Sequence, residues 1–116
     1  MKKIIKIGGK EYTMQSSALT QFSYKDETGR SFLQDLKKLT KLADKEVSLD
    51  DLEVLDDINN LILPIAYVMI KESDSTQILD YKSFLKSIDN LYDDTNWLEE
   101  VILLACSPIS RQLQNS

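Results

Sequence analysis

The stretch that decides the fold is Leu61-Ile-Leu-Pro-Ile-Ala-Tyr-Val-Met-Ile70, the longest apolar run in the chain. It reaches only about half of the ~20 residues a helix needs to span a bilayer, so no membrane-spanning segment is expected. From Ile65 to Ile70 the run is apolar nearly all round. A helix of that kind must be surrounded by protein, which makes it the central element of a core. Upstream, Leu52, Leu55, Ile58, Leu61 and Ile62 recur at helical spacing, and Ile65, Ala66 and Met69 continue the face. Ser48 opens the segment, with Asp50, Asp51 and Glu53 at the positive end of the helix dipole. The pattern predicts a helix over 48–72. Pro64 should kink it or divide it in two, because an interior proline removes a hydrogen bond.

Toward the N-terminus, Ser31-Phe-Leu-Gln34 has capping-box spacing. Phe32, Leu33, Leu36, Leu39 and Leu42 follow at helical intervals, with Lys37, Lys38, Lys41 and Lys45 turned outward. Before it, Ser16 and Ser17 cap a helix over 18–28, with Leu19, Phe22 and Ser23 on one face and Gly29 just past its end. Residues 2–7 and 10–14 are two short extended runs around Gly8-Gly9, the signature of a β-hairpin. Ile5, Ile7 and Tyr12 are its expected packing side chains. Toward the C-terminus, Asp80 caps a short helix carrying Tyr81, Phe84, Leu85 and Ile88. A last helix opens at Asn96, carries Trp97, Leu98, Val101, Ile102 and Ala105, and ends at Pro108. The expected fold is mainly α: a small helical domain of about five helices over 1–109, with an N-terminal β-hairpin in 1–14 and a flexible polar tail over 110–116.

Charge is unevenly spread. Residues 1–47 hold ten Lys and Arg against six Asp and Glu, a net of +4. Residues 48–116 hold four against thirteen, a net of -9. Such asymmetry suits an oppositely charged partner or weak head-to-tail association of copies. The simpler account is that solvated faces of separate helices differ in sign.

Little in the sequence points to catalysis. There is no histidine, which removes the commonest general base and transition-metal ligand. Cys106 is the single cysteine, lies in an apolar run, and has no neighbour that would activate a thiolate. The pairs Asp50-Asp51, Asp56-Asp57, Asp93-Asp94 and Glu99-Glu100 lack the alternating ligands and central Gly of a calcium loop. No catalytic, cofactor or metal site is expected. The lysine stripe would suit nucleic acid, but the chain is acidic at -5 and carries no reader motif. Most aromatics lie on apolar helix faces, where core packing is the default. Tyr92 and Trp97 flank an acidic loop and are the candidates for a surface position.

The order of segments carries further information. Ile4-Ile-Lys-Ile-Gly-Gly-Lys-Glu-Tyr12 is followed by Ser16-Ser-Ala-Leu-Thr20, Phe22-Ser-Tyr24, Thr28-Gly-Arg30, Phe32-Leu-Gln-Asp-Leu-Lys-Lys-Leu39 and Ile65-Ala-Tyr-Val-Met-Ile-Lys71. In this order the chain resembles the tail assembly chaperones of long-tailed bacteriophages and prophages of Gram-positive hosts, over roughly residues 3–106. It departs from that pattern at Leu19-Thr-Gln-Phe22, where Thr-Pro and more basic residues are usual, and at Pro64. The resemblance implies a protein that is not an enzyme and that holds the tape-measure protein soluble while the tail tube assembles. It further implies the major tail protein as a second partner, the host cytoplasm as location, and absence from the finished virion. The partner-binding candidates are Phe22, Tyr24 and Arg30, Lys37 and Lys41 of the stripe, and Tyr92 and Trp97. Weak self-association is expected, without nucleic acid or membrane. The alternative is a small helical adaptor or regulator that binds a host protein.

Overall fold

The computed structural model describes residues 1–44, 52–91 and 96–109. Strands β1 (Lys2–Ile7) and β2 (Lys10–Gln15) form an antiparallel hairpin, followed by α1 (Ala18–Thr28), α2 (Phe32–Asp44), α3 (Leu52–Ser73), α4 (Tyr81–Lys86) and α5 (Asn96–Cys106). A 3-10 turn, Ser107–Ile109, closes the described chain. The fold is mainly helical with an N-terminal hairpin, as the periodicities predict. The expected start of the third helix at Ser48 and the polar tail lie outside the described residues.

The centre is α3. Ile62, Leu63, Ile65, Ala66, Tyr67, Val68, Met69 and Ile70 are all buried, so this half of the helix is enclosed nearly all round. It packs against β2, α1, α2, α4 and α5. The helix is continuous from Leu52 to Ser73 and does not divide at Pro64. Proline has no N–H to offer the carbonyl four residues back. That carbonyl, Asn60 O, receives a long 3.4 Å contact from the Arg30 guanidinium instead. Arg30 thus reaches the acceptor that Pro64 leaves open.

The hairpin covers α3 and α5 with one face. Ile5, Ile7, Tyr12 and Met14 are buried, while Lys2, Ile4 and Lys6 between them face out. Ile5 pairs with Tyr12 and Ile7 with Lys10 across Gly8-Gly9. Both turn glycines have positive φ, 59° and 86°, as a two-residue primed turn requires. Tyr12 meets Phe84 of α4 edge to face at 5.4 Å, and its hydroxyl lies 2.6 Å from Ser87 Oγ. Asp80 caps α4 by accepting from the Ser83 N–H at 2.7 Å.

Gly8 carries a second constraint. A Cβ there would stand 2.8 Å from the Asn90 carbonyl oxygen and 2.9 Å from Ile88 Cγ2, whereas one on Gly9 would meet nothing within 4 Å. Gly9→Ala should therefore cost roughly 1–2 kcal/mol for the left-handed backbone alone. Gly8→Ala should cost more, because the approach of the 88–90 segment is to backbone. Urea unfolding of both variants checks this; equal losses would show that the close approach carries no energy.

Candidate interaction surface

Helix α1 is turned opposite to its apolar pattern. The spacing put Leu19, Phe22 and Ser23 on one apolar face, and that face does not enter the core: Leu19 is 57% and Phe22 62% exposed. The buried side chains are Thr20 and Tyr24. The reason is hydrogen bonding. Thr20 Oγ1 donates to Glu72 Oε1 at 2.8 Å and accepts from the Ser17 N–H at 2.9 Å. Ser17 Oγ donates to Glu72 Oε2 at 3.1 Å and also caps the helix by accepting from the Leu19 N–H. Glu72, in the last turn of α3, thus holds the first turn of α1 by both carboxylate oxygens.

One turn on, Tyr24 donates to Asp35 Oδ2 of α2 at 2.5 Å. Arg30 closes the triangle, with Nη2 3.1 Å from the Tyr24 hydroxyl and Nε 3.0 Å from Asp35 Oδ2. Asp35 is only 5% exposed. A buried carboxylate persists when it is both paired and hydrogen-bonded. Tyr24 also packs edge to face on Phe32 at 5.5 Å. Burial first, then the bond to Asp35, push the Tyr24 phenol up to about 12.

With its polar side satisfied inside, α1 offers Leu19 and Phe22 to solvent. Scattered exposed Leu or Phe residues need no explanation. A helix that buries its hydroxyls and shows its largest apolar groups does need one. Beside it lies an open groove of about 420 Å³, lined by Leu19, Ser23 and Glu27 of α1 and by Tyr67, Val68, Lys71 and Glu72 of α3. The Lys71 ammonium is held by the carbonyls of Ser75, Ile78 and Leu79, at 3.0 to 3.3 Å. A second groove, of about 440 Å³, is lined by Lys38, Lys41 and Leu42 of α2 and by Asp57, Asn60 and Leu61 of α3.

The residues singled out from sequence divide accordingly. Phe22 lies on the exposed side of α1. Lys37 and Lys41 are exposed on α2. Tyr24 is fully buried, and together with Arg30 it forms the internal network, so it offers a partner no surface. Trp97 is 1% exposed and donates from Nε1 to the Leu91 carbonyl at 3.0 Å. It closes the core under α5, which corrects the expected surface position. Tyr92 lies outside the described residues. Sequence reasoning missed Leu19 as a surface residue. The available signal was the i, i+4 pair Thr20 and Tyr24, which competes with Leu19 and Phe22 for the inward face.

Cys106 is half-buried, and burial pushes its thiol up, away from a reactive thiolate. Among the described residues no group of three Asp, Glu or Cys is placed to hold a metal ion. Among them, too, no helix is long and apolar enough to cross a membrane. No family model matches the chain, and neither a curated protein nor a solved structure matches it.

The Tyr24 network has a pH signature. An unfolded tyrosine loses its proton near ~10, whereas folded Tyr24 keeps it to about 12. Between these values the unfolded chain binds fewer protons, so stability present below pH ~10 is lost as pH rises through that window. Tyr24→Phe should cost roughly 1–3 kcal/mol at neutral pH, because Asp35 loses a donor, and should flatten the alkaline decline. Tyr67 and Tyr81 are also raised by burial, but they titrate alike in both proteins and cancel in the difference. Urea midpoints of the two proteins across the alkaline range provide the measurement. Parallel declines would remove Tyr24 as the cause.

Proposed function

We propose that this chain is a tail assembly chaperone, a binding protein rather than an enzyme, whose client is the tape-measure chain. The observation that carries the reading is the inverted α1: Leu19 and Phe22 are exposed on it, and Leu19 lines the groove together with Tyr67 and Val68. A client made of long amphipathic helices would lay an apolar stripe into such a groove, with charge at its rim. The order of segments supports this family, and the outward face of α1 is a surface suited to that client. Under this reading the protein acts in the host cytoplasm, leaves before the virion is complete, and takes the major tail protein as a second partner. Weak association between copies, from the opposite charge of its two parts, would let it coat a long client.

The test is co-expression with the very long helical open reading frame expected nearby in the genome. The wild type should keep fragments of that chain soluble and co-purify with them. Leu19→Ser with Phe22→Ser should weaken this at least about tenfold, some 1.4 kcal/mol. The double variant should leave unfolding within roughly 0.5 kcal/mol per site, since both groups are exposed. Full retention of binding would remove α1 as the surface. Failure of every fragment to bind the wild type would remove the chaperone reading itself.

A further inference from the structure

The two edges of the hairpin are treated differently. Ser16 N–H donates to Met1 O, and Met1 N donates to Ser16 O, so these residues form a directly bonded pair. Antiparallel pairing alternates bonded and non-bonded pairs. With the observed register, Lys3, Ile5 and Ile7 bond to β2, whereas the backbone groups of Lys2, Ile4 and Lys6 point away from it. On the other side, Thr13 of β2 points outward and is met by Gln77. Its N–H donates to Gln77 Oε1 at 3.0 Å, and its carbonyl accepts from Gln77 Nε2 at 2.9 Å. The Gln77 carboxamide stands in for a strand at Thr13, the middle one of the three outward residues of β2. The β1 groups have no such partner among the described residues.

The side chains along the open edge have a pattern. Lys2 and Lys6 flank Ile4 on the outer face, and Ile4 is 61% exposed. Neither lysine has an ion pair among the described residues, although the field of Lys2 contributes to lowering the Asp74 carboxyl. Lys3, on the other face, is engaged with Glu100 at 3.4 Å. Edge lysines discourage pairing between copies. Here the antiparallel register that uses the whole strand against a second copy would set Lys2 opposite Lys6 twice. Directly opposed like charges are destabilising, and opposite charges stabilising.

We propose that β1 is a docking edge for an extended acidic segment of a partner protein, added antiparallel as a third strand. Its backbone meets Lys2, Ile4 and Lys6. At alternate positions it carries Asp or Glu against Lys6, an apolar residue against Ile4, and Asp or Glu against Lys2. Main-chain bonds supply affinity and the alternate side chains supply selectivity, as in strand addition generally. The edge belongs to β1 and makes no use of α1, so it stands or falls independently of the α1 groove.

The test uses the intact protein and the synthetic peptide acetyl-Thr-Glu-Thr-Val-Thr-Glu-Thr-amide at low salt. Saturable binding is expected, with slowed hydrogen exchange at the amides of Lys2, Ile4 and Lys6. N-methylation of the peptide valine leaves every charge in place but removes the N–H aimed at the Ile4 carbonyl. It should weaken binding at least about tenfold. Lys2→Glu with Lys6→Glu should lose the peptide and gain the version with lysine in place of glutamate. Both changes are on exposed side chains, and a thermal melt checks that the fold persists. Equal binding of the N-methylated peptide would reduce the contact to plain electrostatics and overturn the proposal. So would protection confined to other elements, or no binding at all.

Discussion

The half of α3 from Ile62 to Ile70 is buried nearly all round, and every other described α-helix and the hairpin are arranged to cover it. Burying each Ile, Leu, Val or Met side chain there stabilises the fold by roughly 1.5–3 kcal/mol, and no single neighbour can do it for all of them. The hairpin, α1, α2, α4 and α5 are therefore arranged around one axis. This explains why a two-stranded hairpin, marginal by itself in water, persists here. Ile5, Ile7, Tyr12 and Met14 give it an apolar face that α3 and α5 complete.

The elements around α3 are fixed by polar contacts as much as by apolar ones. Glu72 ends α3 and holds Ser17 and Thr20; Asp35 begins α2 and holds Tyr24 and Arg30. These carboxylates set the rotation of α1 about its own axis. Once Thr20 and Tyr24 are inward, Leu19 and Phe22 must be outward, because they lie on the opposite side of the same turns. The exposed apolar surface of α1 is thus a consequence of internal hydrogen bonding. Arg30 links this network to α3 by reaching the Asn60 carbonyl that Pro64 leaves without its usual donor.

Much of this architecture was legible from residue spacing. The hairpin around Gly8-Gly9, the Ser17 and Asp80 caps, the Gly29 helix end and the all-round apolar Ile65–Ile70 stretch each have a local physical cause. What was not legible required knowing which distant groups meet. The orientation of α1 depends on Glu72, more than fifty residues away in sequence. The burial of Trp97 depends on the Leu91 carbonyl and on packing under the core, which the neighbouring acidic residues disguise. The Asn60 carbonyl, which Pro64 leaves without its usual donor, is met by a guanidinium from another segment.

We propose that internal polar contacts turn Leu19 and Phe22 of α1 outward to receive a partner helix. Hydrogen–deuterium exchange of the protein with and without a bound tape-measure fragment tests it most directly. Added protection is expected over residues 18–28 and 67–72, the two walls of the groove, with little change in α2 and α5. Protection that spares α1 and concentrates on another element would contradict it.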